Sequence, residues 1–154
     1  MRLAHKFSVL MVALTVPVAL LLLPCLSHGQ DTASKDIGNY IIRYSAISTN
    51  QLLPEMAQRY GIKRDANRGL LNIAVQEKNA GAHMVHADVS ARAGDLLGHS
   101  QPVRFHETSE NGEIDYLGVF DLSGSGSYHF SVRVVPPGAT QPYVIEFNRD
   151  FVID

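Results

Sequence analysis

From Tyr40 the chain alternates: Tyr40, Ile42 and Tyr44 fall on one side, and Ile41, Arg43 and Ser45 on the other. Side chains two apart in a strand point the same way, so this period predicts a strand with one face on a core. The signature recurs. Leu71, Ile73 and Val75 oppose Asn72, Ala74 and Gln76, and Val85, Ala87, Val89 and Ala91 oppose Met84, His86, Asp88, Ser90 and Arg92. Val103 and Phe105 alternate with Arg104 and His106. Tyr128, Phe130, Val132 and Val134 share another face, and Tyr143, Ile145 and Phe147 open a last strand that continues toward Phe151 and Ile153. Between them, Ile114 to Phe120 is apolar on both faces, which predicts a central strand.

One segment breaks the alternation. Within Gln51 to Tyr60, Pro54 suits a first helical position, Glu55 suits the positive end of the helix dipole, and Gly61 suits the cap beyond. A helix of about two turns is predicted there. Turn chemistry separates the strands: Asn79-Ala80-Gly81-Ala82 reads as a hairpin turn, and Ser123 to Ser127 and Pro136-Pro137-Gly138 as further turns. Asn111-Gly112 is the strongest hairpin signal, because a tight two-residue turn needs positive φ at both positions. About seven short strands and one short helix predict a mainly β fold, an immunoglobulin-like antiparallel β-sandwich. Residues 30–38 are polar and without period, so they read as a flexible leader before a single domain over 39–154.

The first 29 residues set the expected compartment. Arg2, His5 and Lys6 precede an uncharged run from Phe7 to Leu23, and Ser27-His28-Gly29 offers small residues at an exit site. These are the features of a secretory signal peptide, expected to be cleaved after Gly29 and to deliver the domain to the periplasm. An uncleaved anchor is the alternative, disfavoured because the run is short of roughly 20 residues and carries Pro17. Lipidation at Cys25 is disfavoured by Pro24 directly before it.

Cys25 is the only cysteine of the 154-residue chain, so the exported part has none. Thiol nucleophiles, thiolate metal sites and CxxC redox pairs are thereby excluded. Setting Arg2 and Lys6 aside leaves 11 basic residues against 15 acidic, a formal charge of −4. No basic stripe points to nucleic acid, and the membrane enters only through the transient signal segment.

One stretch is distinctive. Tyr60-Gly61-Ile62-Lys63-Arg64, Asn67-Arg68 and Leu70-Leu71-Asn72-Ile73 read Y-G-I-x-R-x-x-N-R-x-L-L-N-I, downstream of Pro54-Glu55 and the Tyr40 to Ser48 strand. The chain resembles an uncharacterised family of exported Gram-negative proteins, domain of unknown function family 4426. The resemblance spans about Lys35 to Asp154 and is most specific between Pro54 and Ile73. It implies a small periplasmic β-sandwich and no activity.

Several groups are candidates for chemistry. Arg64, Asn67 and Arg68, with Tyr60 as a wall, would clamp a small anionic ligand, since the guanidinium fork binds carboxylate or phosphate bidentately. The same residues would equally tie their loop to Asp65 or to nearby carbonyls. His83, Met84 and His86 suggest copper or zinc. Residues three apart on a strand face opposite ways, however, so only Met84 and His86 would share a side. His106 and His129 join them only if the strands are neighbours. Asp121, Ser123, Ser125 and Gly126 mimic the start of a calcium loop, but Val132 stands where its bidentate acid belongs. Ser123, Ser125 and Ser127 near His129 lack a nucleophile elbow, and Glu107, Glu110 and Glu113 flank a solvent-facing turn. The expectation is a non-catalytic binding module without cofactor, its partner an unknown envelope protein or a small anionic ligand. A metal-handling protein is the alternative, and a weak hydrolase the third.

Overall fold

A computed structural model describes residues 32–79, 81 and 83–153. The signal segment and its expected cleavage point lie outside the described residues. Eight strands follow in order: β1 (Ala33–Ile37), β2 (Tyr40–Ser48), β3 (Arg68–Glu77), β4 (Asp88–Asp95), β5 (Ser100–Glu110), β6 (Glu113–Asp121), β7 (Gly126–Val135) and β8 (Tyr143–Phe151). A 3₁₀ turn (Thr49–Gln51) and one helix, α1 (Pro54–Arg59), lie between β2 and β3.

All strand pairings are antiparallel, in the order β1-β2-β3-β6-β5-β4-β7-β8. β5 makes the corner. Its first residues, Ser100 to Val103, pair with β4, whereas Arg104 to Glu110 pair with β6. Strands that switch layers in this way close a sandwich. The mainly β expectation therefore holds, as one nearly closed sheet whose two halves face each other across the core.

Among the described residues the count is eight strands, not about seven, because the stretch expected as a flexible leader carries β1. Its residues Ala33 to Asp36 are exposed, so no apolar period marks them. Backbone pairing from Ala33↔Tyr44 to Ile37↔Tyr40 holds the strand, and Gly38 turns the chain with φ +54°. A second difference follows the Asn79 turn. The chain closes only a short ladder there, with Val85 N donating to Val75 O and Glu77 N to His83 O. β3 is already flanked by β2 and β6, so β4 leaves to pair with β5 and β7.

Inward positions match the alternation. Ile42, Leu71, Ile73 and Val75 meet Phe130, Val132, Val134 and Ile145 in the core, each at most 1% exposed. Helix α1 starts at Pro54 and is capped by Tyr60, with Gly61 at φ +64° beyond it. It packs on the outer face of the β2–β3–β6 layer. There Ala57, Leu52, Ile47 and Leu70 form a separate apolar cluster with Ile62, Leu117 and Val119.

Candidate functional site

The outer face of that layer is apolar under α1 and polar beyond it, and a cavity of about 350 Å³ spans the change. Leu53, Met56 and Tyr60 wall it from the helix side, and Ile47, Leu70 and Leu117 from the sheet. Leu53 is 65% exposed at its rim. Ser45, Asn72 and Asp115 form the polar end and are shared with an adjoining cleft that adds Arg43 and Glu113. Register explains the grouping, since Asn72 sits opposite Ser45 on β2 and opposite Leu117 on β6. Asn72 Oδ1 is buried and has no hydrogen-bond partner among the described residues.

Of the four loop residues singled out in the sequence, Tyr60 lines this cavity. The other three take separate partners. Arg64 Nη2 donates to the Asn50 carbonyl at 2.7 Å, and Arg68 Nε lies 3.7 Å from the Asp121 carboxylate. Asn67 N donates to Asp65 Oδ1, while its carbonyl accepts from Leu122 N. Fully buried Thr49 fastens the same loop, its Oγ1 donating to Asp65 O and accepting from Asp65 N.

The histidines are dispersed. His86 Nδ1 is 3.0 Å from Glu107 Oε1, and His129 Nδ1 is 2.9 Å from Asn148 Oδ1. His106 pairs across to Leu117 on β6. Met84 packs on the core and bridges to Gln76. Hydrogen bonds from Tyr116 and then His86 hold the Glu107 carboxyl below its ordinary range, whereas burial pushes the Tyr116 phenol up. Among the described residues, no group of three or more His, Cys, Asp or Glu side chains is placed to hold a metal ion.

A second polar cluster joins the β4–β5 turn to the β6–β7 crossover. Asp95 Oδ1 accepts from Leu97 N and His99 N, and Oδ2 takes His99 Nδ1 and Ser123 Oγ, both at 2.9 Å. Tyr128 OH accepts from Ser123 N and donates to Gly124 O. The His99 hydrogen bond, with help from Ser123, lowers the Asp95 carboxyl to about 2. An unfolded Asp titrates near ~3.9, so ionised Asp95 favours the folded state above that pH and ceases to as pH falls through about 2. Asp95→Asn is therefore expected to melt below the wild type at neutral pH, with the gap narrowing under acid. Thermal midpoints across that range check it; parallel curves would mean that Asp95 titrates normally.

Fold and site together define a small antiparallel β domain with a helix-roofed cavity on its outer face. The chain belongs to the family described as Domain of unknown function (DUF4426), whose model matches residues 34–154. It is similar to a DUF4426 family protein from Pseudomonas aeruginosa PAO1, with 27% identity and TM-score 0.70 over 82% of this chain and 99% of that one. Two structures of FetP from uropathogenic Escherichia coli strain F11 share the fold at 10% identity. One was isolated after expression in the E. coli periplasm (TM-score 0.58; 78% of this chain, 93% of that one), and the other is a copper-bound variant (0.57; 79% and 95%). No curated protein matches the chain.

The sequence reading missed Ser45, Asn72 and Asp115 as a group. Their only local signal is a polar residue on the outward face of strands that elsewhere present Ile47, Leu70 and Leu117 on that face.

Proposed function

We propose that the chain is a non-catalytic binding module of the periplasm that takes a small ligand or a segment of an envelope partner in the cavity under α1. The observation that carries this is the pairing of apolar walls with a polar end of Ser45, Asn72 and Asp115. Binding pockets combine a mostly apolar lining with a few placed polar groups, over roughly 300–1,000 Å³. The basic-then-apolar leading segment supports export, as does a fold shared with a protein recovered from a periplasm. A hydrolytic role has little support. Ser123 Oγ donates to Asp95 and not to an imidazole, and a carboxylate at about 2 is a poor base. Arg64 and Arg68 are engaged within the protein, which favours the cavity over the loop as the binding site.

The neutral fluorescent probe N-phenyl-1-naphthylamine tests the reading. Its emission is expected to rise on the wild-type protein, and Met56→Trp, which fills the cavity, is expected to weaken binding at least tenfold while circular dichroism is unchanged. Equal emission from both proteins would remove the cavity as the site.

A metal-handling reading has one favourable observation: the His86–Glu107 pair, on a fold that in FetP carries copper. It expects copper or zinc to shift the His86 ring resonances, and His86→Ala to abolish the response. A flat titration ends it.

A further inference from the structure

We infer that Asn111 is a site of self-modification, where the backbone nitrogen of Gly112 expels the side-chain amide and leaves aspartate and isoaspartate. The inference stands apart from the cavity reading. It is carried by the turn between β5 and β6. Asn111-Gly112 is the only Asn-Gly pair in the chain. Asn111 is the one non-glycine residue with positive φ among the described residues, at +52°, and both turn residues are exposed. Gly112 has no Cβ, and nothing stands within 4 Å of where one would be, so its nitrogen is open to approach. Neither the Asn111 side chain nor the Gly112 N–H has a hydrogen-bond partner among the described residues.

The Cγ of an asparagine is one bond short of a five-membered ring with the next backbone nitrogen. Solvent hydroxide removes the Gly112 amide proton, the nitrogen attacks Asn111 Cγ, and an N–Cγ bond forms. The Cγ–Nδ2 bond breaks, and Nδ2 leaves as ammonia after taking a proton from water. Water then opens the ring. Attack at Cγ restores the main chain with aspartate at 111, whereas attack at the Asn111 backbone carbonyl routes the chain through Cβ and Cγ as isoaspartate. One water is consumed and one ammonia released, with no change of oxidation state. Either product sets a new carboxylate between Glu110 and Glu113, which already face each other across the turn. Like charges directly opposite disfavour strand pairing. Isoaspartate also lengthens a two-residue turn by one backbone atom, so the positive-φ geometry no longer fits. Pairing therefore loosens at Glu110, the residue that also holds Arg59 at the end of α1.

The experiment ages the folded protein at mildly alkaline pH and reads its peptides by mass spectrometry and by labelling with isoaspartyl methyltransferase. A gain of one mass unit is expected on the Asn111 peptide at least tenfold faster than at any other asparagine, with methyl label at 111. The rate is expected to rise with pH, because the attacking nitrogen must first lose its proton. Asn111→Gly keeps a turn that suits glycine and is expected to abolish both signals there with circular dichroism unchanged. Hydrogen exchange at the Glu113 N–H is expected to quicken in the aged wild type and not in the aged variant. A rate at Asn111 no higher than at the other asparagines overturns the inference. Mass gain only in the urea-unfolded chain overturns it too, since the turn then protects the pair. Mass gain without methyl label overturns ring formation, because direct hydrolysis of the amide yields aspartate alone.

Discussion

Phe130→Ala is expected to cost about 3–5 kcal/mol of folding stability, the largest loss from any single truncation in this core. Phe130 is fully buried on β7. It stacks on Phe147 of β8 with ring centroids 4.9 Å apart, and meets Phe120 of β6 edge-on at 5.1 Å. One ring thus joins both layers of the sandwich. Its removal forfeits transfer energy and leaves a cavity that three neighbouring strands cannot all collapse into. Small domains are stable by only about 5–15 kcal/mol, so the variant approaches the threshold of folding. Urea unfolding monitored by circular dichroism measures the change. A loss below about 1 kcal/mol would show that the aromatic cluster repacks freely, against the close packing inferred here.

Gly69→Ala is expected to be the next most damaging change, although it adds one methyl group. Gly69 of β3 lies in register with Phe120 of β6, and the Phe120 ring folds over it. A Cβ at this position would stand inside contact distance of three ring atoms. The ring has no free space to move into, because Phe130, Phe151 and Tyr128 surround it at centroid distances of 5.1 to 6.4 Å. Overpacking of this kind costs roughly 1–3 kcal/mol. The double variant Gly69→Ala/Phe120→Leu is expected to be less destabilised than the sum of its parts, since the smaller side chain relieves the collision. Strict additivity would place the damage elsewhere.

Much of this architecture was legible because it is written locally. Alternation along Tyr128 to Val134 needs only the two-residue strand period, and those positions are buried. Asn111 and Gly112 take φ values of +52° and +84°, as a tight hairpin requires, and β5 and β6 pair up to that turn at Glu110↔Glu113. Pro54 at the start of α1 and Gly61 after its end were readable for the same reason. β1 was not legible. A polar edge strand is held by backbone hydrogen bonds, and backbone groups are the same in every residue.

The candidate site was legible only in fragments. Tyr60 adjoins a donor-rich loop in the sequence, and the structure puts it on the cavity wall for a different reason, as the cap of α1. Arg64 and Arg68 have the side-chain chemistry of an anion clamp, but their partners Asn50 and Asp121 come from other turns and strands. His86 and Glu107 lie 21 residues apart and meet because β5 passes beside the segment leading into β4.

Apart from β1, the sequence by itself determined where strands, turns and helix α1 form, and which side of each strand faces inward, because torsional preference and hydrophobic period act over a few residues. Tertiary structure alone decided which strands are neighbours, that β5 crosses between layers, and that Ser45, Asn72 and Asp115 share one cavity end. Strand pairing is directed by backbone groups common to every residue, so the partners are chosen by how the whole chain buries its apolar faces at once.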